Sequence, residues 1–303
     1  MKARNLDVLC VSDMCVDLVM WGNVRPRFGQ VEQLVEDYLV ELGGSANIFA
    51  CQFAKLGGRA GVVGHVGHDA FGELSLKRLS ECGVDTSLVK ISEELKTGLG
   101  IALTEPDDRA ILTVLGTIDA TAPEELTPEV AGSCRHWHIA SYFLLNSLRE
   151  TWLDWLKFCR QKGVTTSLDT NWDPAGLWHG ILDLLPWVDV FLPNEQEALA
   201  LTGEESAESA GKRLAEYGPI VVIKCGRRGA LAFHGSERWN YKIEETIEPA
   251  DSVGAGDNFD AGFLRGWLLG YDVEACLHLG HRCAASSLRD TGGISGQLRE
   301  IIA

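Results

Sequence analysis

Asp251, Ser252, Val253, Gly254, Ala255, Gly256 and Asp257 make the stretch of this sequence best suited to chemistry, a small-residue turn between two acids that opens onto an apolar run. Phe259, Phe263, Leu264, Trp267 and Leu268 recur at helical spacing, and Gly262 and Gly266, one turn apart, permit another helix to pack closely. The loop therefore runs into a helix N-terminus, where unpaired N–H groups and the positive dipole end can gather the charge of phosphoryl oxygens. Asp257, in the first turn, would be kept ionised there and could take the proton of a hydroxyl that attacks a phosphate. A glycine turn closed by an ordinary capping Asp fits the local pattern nearly as well. No Gly-x-x-x-x-Gly-Lys-[Ser/Thr] is present, so the loop is not a Walker phosphate loop.

Other polar residues stand at the ends of apolar runs. Asp17 follows the run that starts at Val8; Gly43 and Gly44 precede Ser45, Ala46 and Asn47; Asp169 and Asn171 close another run. Asn194 to Glu197 reads as a helix start with acids in its first turn. His65, His68 and Asp69 have the composition of a metal cluster, but a strand end followed by a helix-capping Asp explains them better.

Apolar strands alternating with amphipathic helices position these groups. Residues 8–11, 60–66, 136–140, 164–169, 188–192 and 220–224 read as strands, with helices over 46–56, 70–81 and 150–160 stopped by Gly57, Gly83 and Gly163. This alternation predicts an α/β fold with a mostly parallel central sheet covered on both faces. Two segments interrupt it. Residues 97–104 and 109–115 flank a Pro-Asp-Asp turn and read as an antiparallel hairpin. In 17–42, Val31, Leu34, Val35, Tyr38, Leu39 and Leu42 match helical spacing, whereas Tyr38, Val40 and Leu42 equally line one face of a strand.

The 303 residues suit a single domain carrying these segments as insertions, and 46% apolar with 23% charged residues excludes disordered and fibrous classes. A net charge of −16 opposes nucleic acid and anionic membrane surfaces as partners. Nine cysteines without a Cys-x-x-Cys pair read as reduced core thiols. The N-terminal residues lack the apolar segment of a signal peptide and no run approaches a membrane span, so a cytoplasmic location is expected.

The loop 251–257 with Phe259 closely resembles the signature of the ribokinase-like (PfkB) carbohydrate kinases, Asp-Thr-x-Gly-Ala-Gly-Asp-x-Phe, and further stations follow in family order from Val8 to Gly293. The resemblance implies a three-layer α/β/α fold with a small β-lid built from about 17–42 and 97–118, and ATP-dependent phosphorylation of a sugar hydroxyl of the ribose or ketose type. It implies that Gly254, Ala255 and Gly256 form the anion hole, that Asp257 is the base, and that Asp251 belongs to a monovalent-cation (K+) site. It carries sugar contacts to Asp17, Gly43, Gly44, Asn47, Thr97 and Asn171, and nucleotide contacts to Asn194, Lys224, Gly226, Gly229, Gly254, Gly256 and His281. Glu197 is carried over as the residue that organises Mg2+ through water, and pairing of two copies through the lid is the partner that relatives suggest. The sequence departs from the family at Cys15, at Ile48, where Asn is usual, and at Asp173, where sugar-acid kinases carry Arg. A nucleoside acceptor stacked on Tyr38 or Trp21, and a catalytically silent sensor on the same fold, are the competing expectations.

Overall fold

A computed structural model describes residues 5–105, 109–243 and 252–301. Its strands are β1 Leu6–Val11, β2 Cys15–Trp21, β3 Asp37–Gly43, β4 Ala60–Gly67, β5 Asp85–Ser92, β6 Gly98–Thr104 and β7 Arg109–Val114. The second half adds β8 Cys134–Ile139, β9 Thr165–Leu168, β10 Val190–Phe191, β11 Ile220–Lys224, β12 Ala230–His234 and β13 Glu237–Tyr241. The helices are α1 Ser45–Lys55, α2 Ala70–Glu81, α3 Pro128–Gly132, α4 Trp152–Gln161 and α5 Ile181–Leu184, then α6 Glu195–Thr202, α7 Ala207–Ala215, α8 Ala255–Leu269 and α9 Val273–Ser287.

Nine strands form one sheet in the order β13-β12-β11-β10-β9-β8-β1-β4-β5. From β11 to β5 all neighbours are parallel, and β12 and β13 close the other edge as an antiparallel hairpin. Strand β1 shows why helices cover both faces, because its side chains are buried alternately on opposite sides. Leu9 and Val11 join Trp137, Trp152, Trp155 and Leu214 in one core, whereas Val8 and Cys10 join Phe49, Phe53, Phe259 and Phe263 in the other. Each such side chain removed from water contributes about 1.5–3 kcal/mol before entropy is counted. The result is the expected α/β/α sandwich. Its cysteines are all free, and seven of them are buried.

A second sheet, β3-β2-β6-β7, stands apart from the first. It settles the ambiguous 17–42 segment as strand, since β2 and β3 pair in unbroken antiparallel register from Cys15↔Gly43 to Trp21↔Asp37. Val31, Leu34 and Val35 precede that strand in an irregular stretch and make no helix. The hairpin of β6 and β7 pairs as expected, with Leu99↔Val114 and Thr104↔Arg109; its Pro106–Asp108 turn lies outside the described residues. Of the anticipated strand 188–192, only Val190–Phe191 pairs. Among the elements that escaped the sequence reading are three strands. Strand β5 is an edge strand of mixed polarity, and the β12–β13 hairpin carries a visible signal, Gly235 and Ser236 between two strand-like runs. No helix among the described residues is long and apolar enough to cross a membrane.

Candidate active site

The carboxyl ends of the parallel strands, the inner face of the small sheet and the start of α8 enclose a cavity of about 1680 Å3. Open α/β sheets bind ligands at this end because the strands stop there while the chain turns into the next helix. Four of the strands deliver polar groups to it: Asp13 after β1, Asp169 and Asn171 after β9, Asn194 and Glu197 after β10, and Lys224 at the end of β11.

One pole of the cavity is the loop that begins α8. Gly254 is its N-cap in the left-handed region, φ 71°, and a Cβ there would stand 3.0 Å from Gly293 Cα and from Ile48 Cδ1, so glycine is required. Gly254, Ala255, Gly256 and Asp257 all line the cavity. The loop is anchored by Asn258, whose Nδ2 donates to the carbonyls of Gly254 and Gly293 (2.8 and 2.9 Å). Gln297 donates in turn to Asn258 Oδ1 and to the Ile48 carbonyl, both at 2.8 Å. Behind the loop, Gly262 lets α9 approach: a Cβ there would stand 2.7 Å from the Leu279 carbonyl oxygen.

The charge state of Asp257 differs from the expectation that the helix terminus keeps it ionised well below neutrality. Burial, reinforced by the Asp169 and Asp13 carboxylates and opposed by Lys224, pushes its pKa up to about 7. Glu197 behaves alike: burial and Asp169 push it to about 7, while both its oxygens accept from Asn194, from N to Oε2 at 2.8 Å and from Nδ2 to Oε1 at 2.6 Å. Lys224 is the cation among them. Its Nζ lies 2.9 Å from both Asp169 Oδ2 and Asp260 Oδ2. Burial and its carboxylate neighbours hold the Asp260 carboxyl well above the usual range, whereas Asp169 is lowered, the Lys224 charge overcoming its burial. The Lys224 ammonium and burial thus pull the two carboxyls in opposite directions, Asp169 down and Asp260 up.

The opposite pole is paved for a small polar ligand. Asp17 on β2 lies beside Gly100 of β6, where a Cβ would stand 2.5 Å from Asp17 Oδ1, so the sheet is flat around this acid. Asp13, absent from the expected site, accepts from the Ser45 and Ala46 amides (2.8 and 3.1 Å) and from Ser141 Oγ (2.5 Å), capping α1 from below. Asn171 Nδ2 donates to Ser45 Oγ and Ser141 Oγ at 2.6 and 3.0 Å. Gly44, at φ 85°, brings the backbone so close that a Cβ would stand 2.5 Å from the Asp13 carbonyl oxygen. Cys15 lines the cavity as a neutral thiol, its pKa pushed up by burial.

Several expected contacts are not part of this wall. Asn47 is fully buried, with Nδ2 donating to the Gly43 carbonyl and Oδ1 accepting from Ser12 Oγ; Ile48 faces the cavity instead. Gly43, paired with Cys15, leaves room for the Asp17 carboxyl, which a Cβ there would strike. Thr97 Oγ accepts from the Gly67 amide and donates to Asp69 Oδ1, which fixes the root of β6 rather than a ligand. Gly229 is needed because a Cβ would collide with the Tyr241 carbonyl oxygen, and His281 packs its ring 5.0 Å from Tyr241 on the far side of α9. Asp251 lies outside the described residues. Tyr38 and Trp21 do not line the cavity; Trp172 does. Asp69 caps α2 through the Gly72 amide, and His65 and His68 bind Glu125 and Glu93. No group of three or more potential metal ligands gathers among the described residues.

A sugar kinase of uncharacterised specificity from Archaeoglobus fulgidus is 32% identical over 82% of this chain and 98% of its own length. An ATP-dependent ribose-1-phosphate kinase from Halopiger xanaduensis is 30% identical over 86% of this chain and 85% of its own. An E. coli structure solved with ATP and Mg2+ shares the fold at TM-score 0.82 and 21% identity, covering 97% of this chain and 96% of that one. The pfkB family carbohydrate kinase model matches residues 5–300, and this chain belongs to that family.

Proposed function

We propose that this protein transfers the γ-phosphoryl group of ATP to a hydroxyl of a ribose-like or ketose sugar, with Asp257 as general base and the Gly254, Ala255 and Gly256 amides as the anion hole. The observation that carries this reading is that Asp257 and the left-handed Gly254 helix start face the same cavity as Asp17 and Asn171. The residues present fit a nucleotide: a helix N-terminus free of any side-chain cap, with Lys224 and Gly226 beside it, suits a polyphosphate. ATP would bring Mg2+, which neutralises phosphate charge; Glu197 would organise it through water, with Asn194 near the phosphates.

The chain's own groups then divide the work. Asp17 and Asn171 orient the sugar, and the small sheet acts as a lid that keeps water from competing with the acceptor. As the acceptor oxygen bonds to phosphorus and the bond to the ADP oxygen breaks, the hydroxyl proton passes to Asp257. A base of pKa about 7 suits that step, because it is partly ionised at neutral pH and still basic enough to take the proton. The lid's outer face carries an apolar row, Val40, Leu18, Ile101 and Leu112 across four strands, which fits pairing of two copies.

Asp257→Asn tests the mechanism. ADP release with Mg2+-ATP and a panel of pentoses, hexoses and ketoses should fall by about 10²–10⁴ while ATP binding persists. Turnover near that of the unmodified protein would refute the assignment.

A further inference from the structure

The acceptor pole has a property that a small polyol does not need. Trp172 and Leu177 project into the cavity and remain 59% and 62% exposed. They belong to a segment bent on purpose. Asn171 and Trp178 at its two ends both have positive φ, 54° and 55°, a conformation that non-glycine residues seldom adopt without compensation. The compensation comes from Asp173, buried between them, whose carboxylate accepts from the backbone amides of Ala175, Leu177 and Trp178 at 2.7–2.9 Å. Asp173 therefore fixes the loop and does not replace the missing Arg as a substrate contact.

Trp172 is braced from behind. Its ring meets Trp178 edge-on at 5.1 Å, and Trp178 meets Phe143 edge-on at 5.3 Å. The Phe143 loop is tied to the root of the lid where the Ser147 amide donates to Asp119 Oδ1 (2.8 Å), and from there Leu115 and Ile111 continue the apolar lining. A braced loop that holds an indole beside the Asp17 and Asn171 end of the cavity, with Leu115 and Ile111 extending the apolar wall, is a stacking platform, and a flat ring is what such a platform takes.

From this wall we infer that the acceptor is a sugar bearing a planar apolar substituent, which stacks on Trp172 while its hydroxyls meet Asp17 and Asn171. The inference rests on the phosphotransfer reading above and narrows its acceptor. Two sources share the chemistry, a nucleoside with its base and a glycoside with an aromatic aglycone.

The test pairs each ring-bearing acceptor with its bare sugar: a set of ribonucleosides against ribose, and phenyl glycosides against the free hexoses. The readout is the ratio of kcat/KM within each pair, from ADP release that Asp257→Asn abolishes. The ring-bearing member of at least one pair should be preferred, and Trp172→Ala should reduce that preference by about 10- to 100-fold, the range of one aromatic stack. Trp172→Phe, which keeps a flat ring, should restore most of it. Preference in the nucleoside pairs assigns the ring to a base, and in the phenyl pairs to an aglycone. Bare sugars used as well as their partners, or an equal loss for both members in Trp172→Ala, would overturn the inference and leave the phosphotransfer reading standing. If no acceptor supports Asp257-dependent ADP release, both fall together.

Discussion

Replacing Lys224 by Met removes the ammonium that lies 2.9 Å from both Asp169 and Asp260 without changing the length of the side chain much. Burial holds the Asp260 carboxyl well above the usual range and Asp169 is lowered, so the carboxylate that the variant leaves without its cation is Asp169. An uncompensated charge at a fully buried position is costly, and the cheaper outcome is for Asp169 to take up a proton. That sets the magnitude. Protonating a carboxylate whose unfolded pKa is about 3.9 costs roughly 1.4 kcal/mol for every pH unit above that value, hence about 4 kcal/mol at pH 7 and about 1.5 kcal/mol at pH 5. The sign follows from linkage: the variant's Asp169 has a raised folded pKa, so its penalty is absent below the unfolded pKa and grows as pH rises. Urea unfolding of both proteins at pH 7 and pH 5 measures the two losses, and their difference should be about 2.5 kcal/mol. A loss that is the same at both pH values would mean that Asp169 is not held ionised by Lys224, and the charge assignment of the site would have to be abandoned.

Two further outcomes follow from the same structure. Because Asp257 must be ionised to act and its pKa is pushed up to about 7, kcat/KM should fall about tenfold per unit below pH 7, so that pH 6 retains roughly a tenth of the plateau; a rate profile flat down to pH 5 would contradict this. Leu112→Glu places a charge in the apolar row on the outer face of the small sheet and should convert a dimer to monomers in analytical ultracentrifugation, whereas an unmodified protein that is already monomeric at micromolar concentration would remove the pairing proposal.

The glycine loop before α8 was legible because its letters and its place both speak: two glycines fix a backbone shape, and the Phe259, Phe263 and Leu264 spacing shows that a helix follows. Helix α2 was legible to the residue, since Asp69 caps one end and Gly83 stops the other. What local pattern does not carry is direction. Asn47 stands in a glycine-rich motif as a ligand would, yet the Gly43 carbonyl one turn before it and Ser12, 35 residues away, absorb both ends of its amide, and the Ser12 contact exists only once the chain has folded. Asp13 is the reverse: four residues before the acid expected to bind, it became visible only when the Ser45 and Ala46 amides were brought over it. Asp173 read as a lost cation and is a loop brace, a role defined by three amides that follow it within five residues. The raised pKa of Asp257 was hidden for the same reason, because Asp169 and Asp13 reach it only through the fold.

The bonds of Gln297 to Asn258 and to the Ile48 carbonyl have a consequence for how the chain comes to life. A domain folds as a unit rather than residue by residue. Until α8 is made, Val8, Cys10, Phe49 and Phe53 lack the Phe259 and Phe263 rings that close their core, and the glycine loop is missing from the cavity. Only when the segment carrying Gln297 is made can a side chain clasp the glycine loop to helix α1, so a chain cut short before it would lack that clasp.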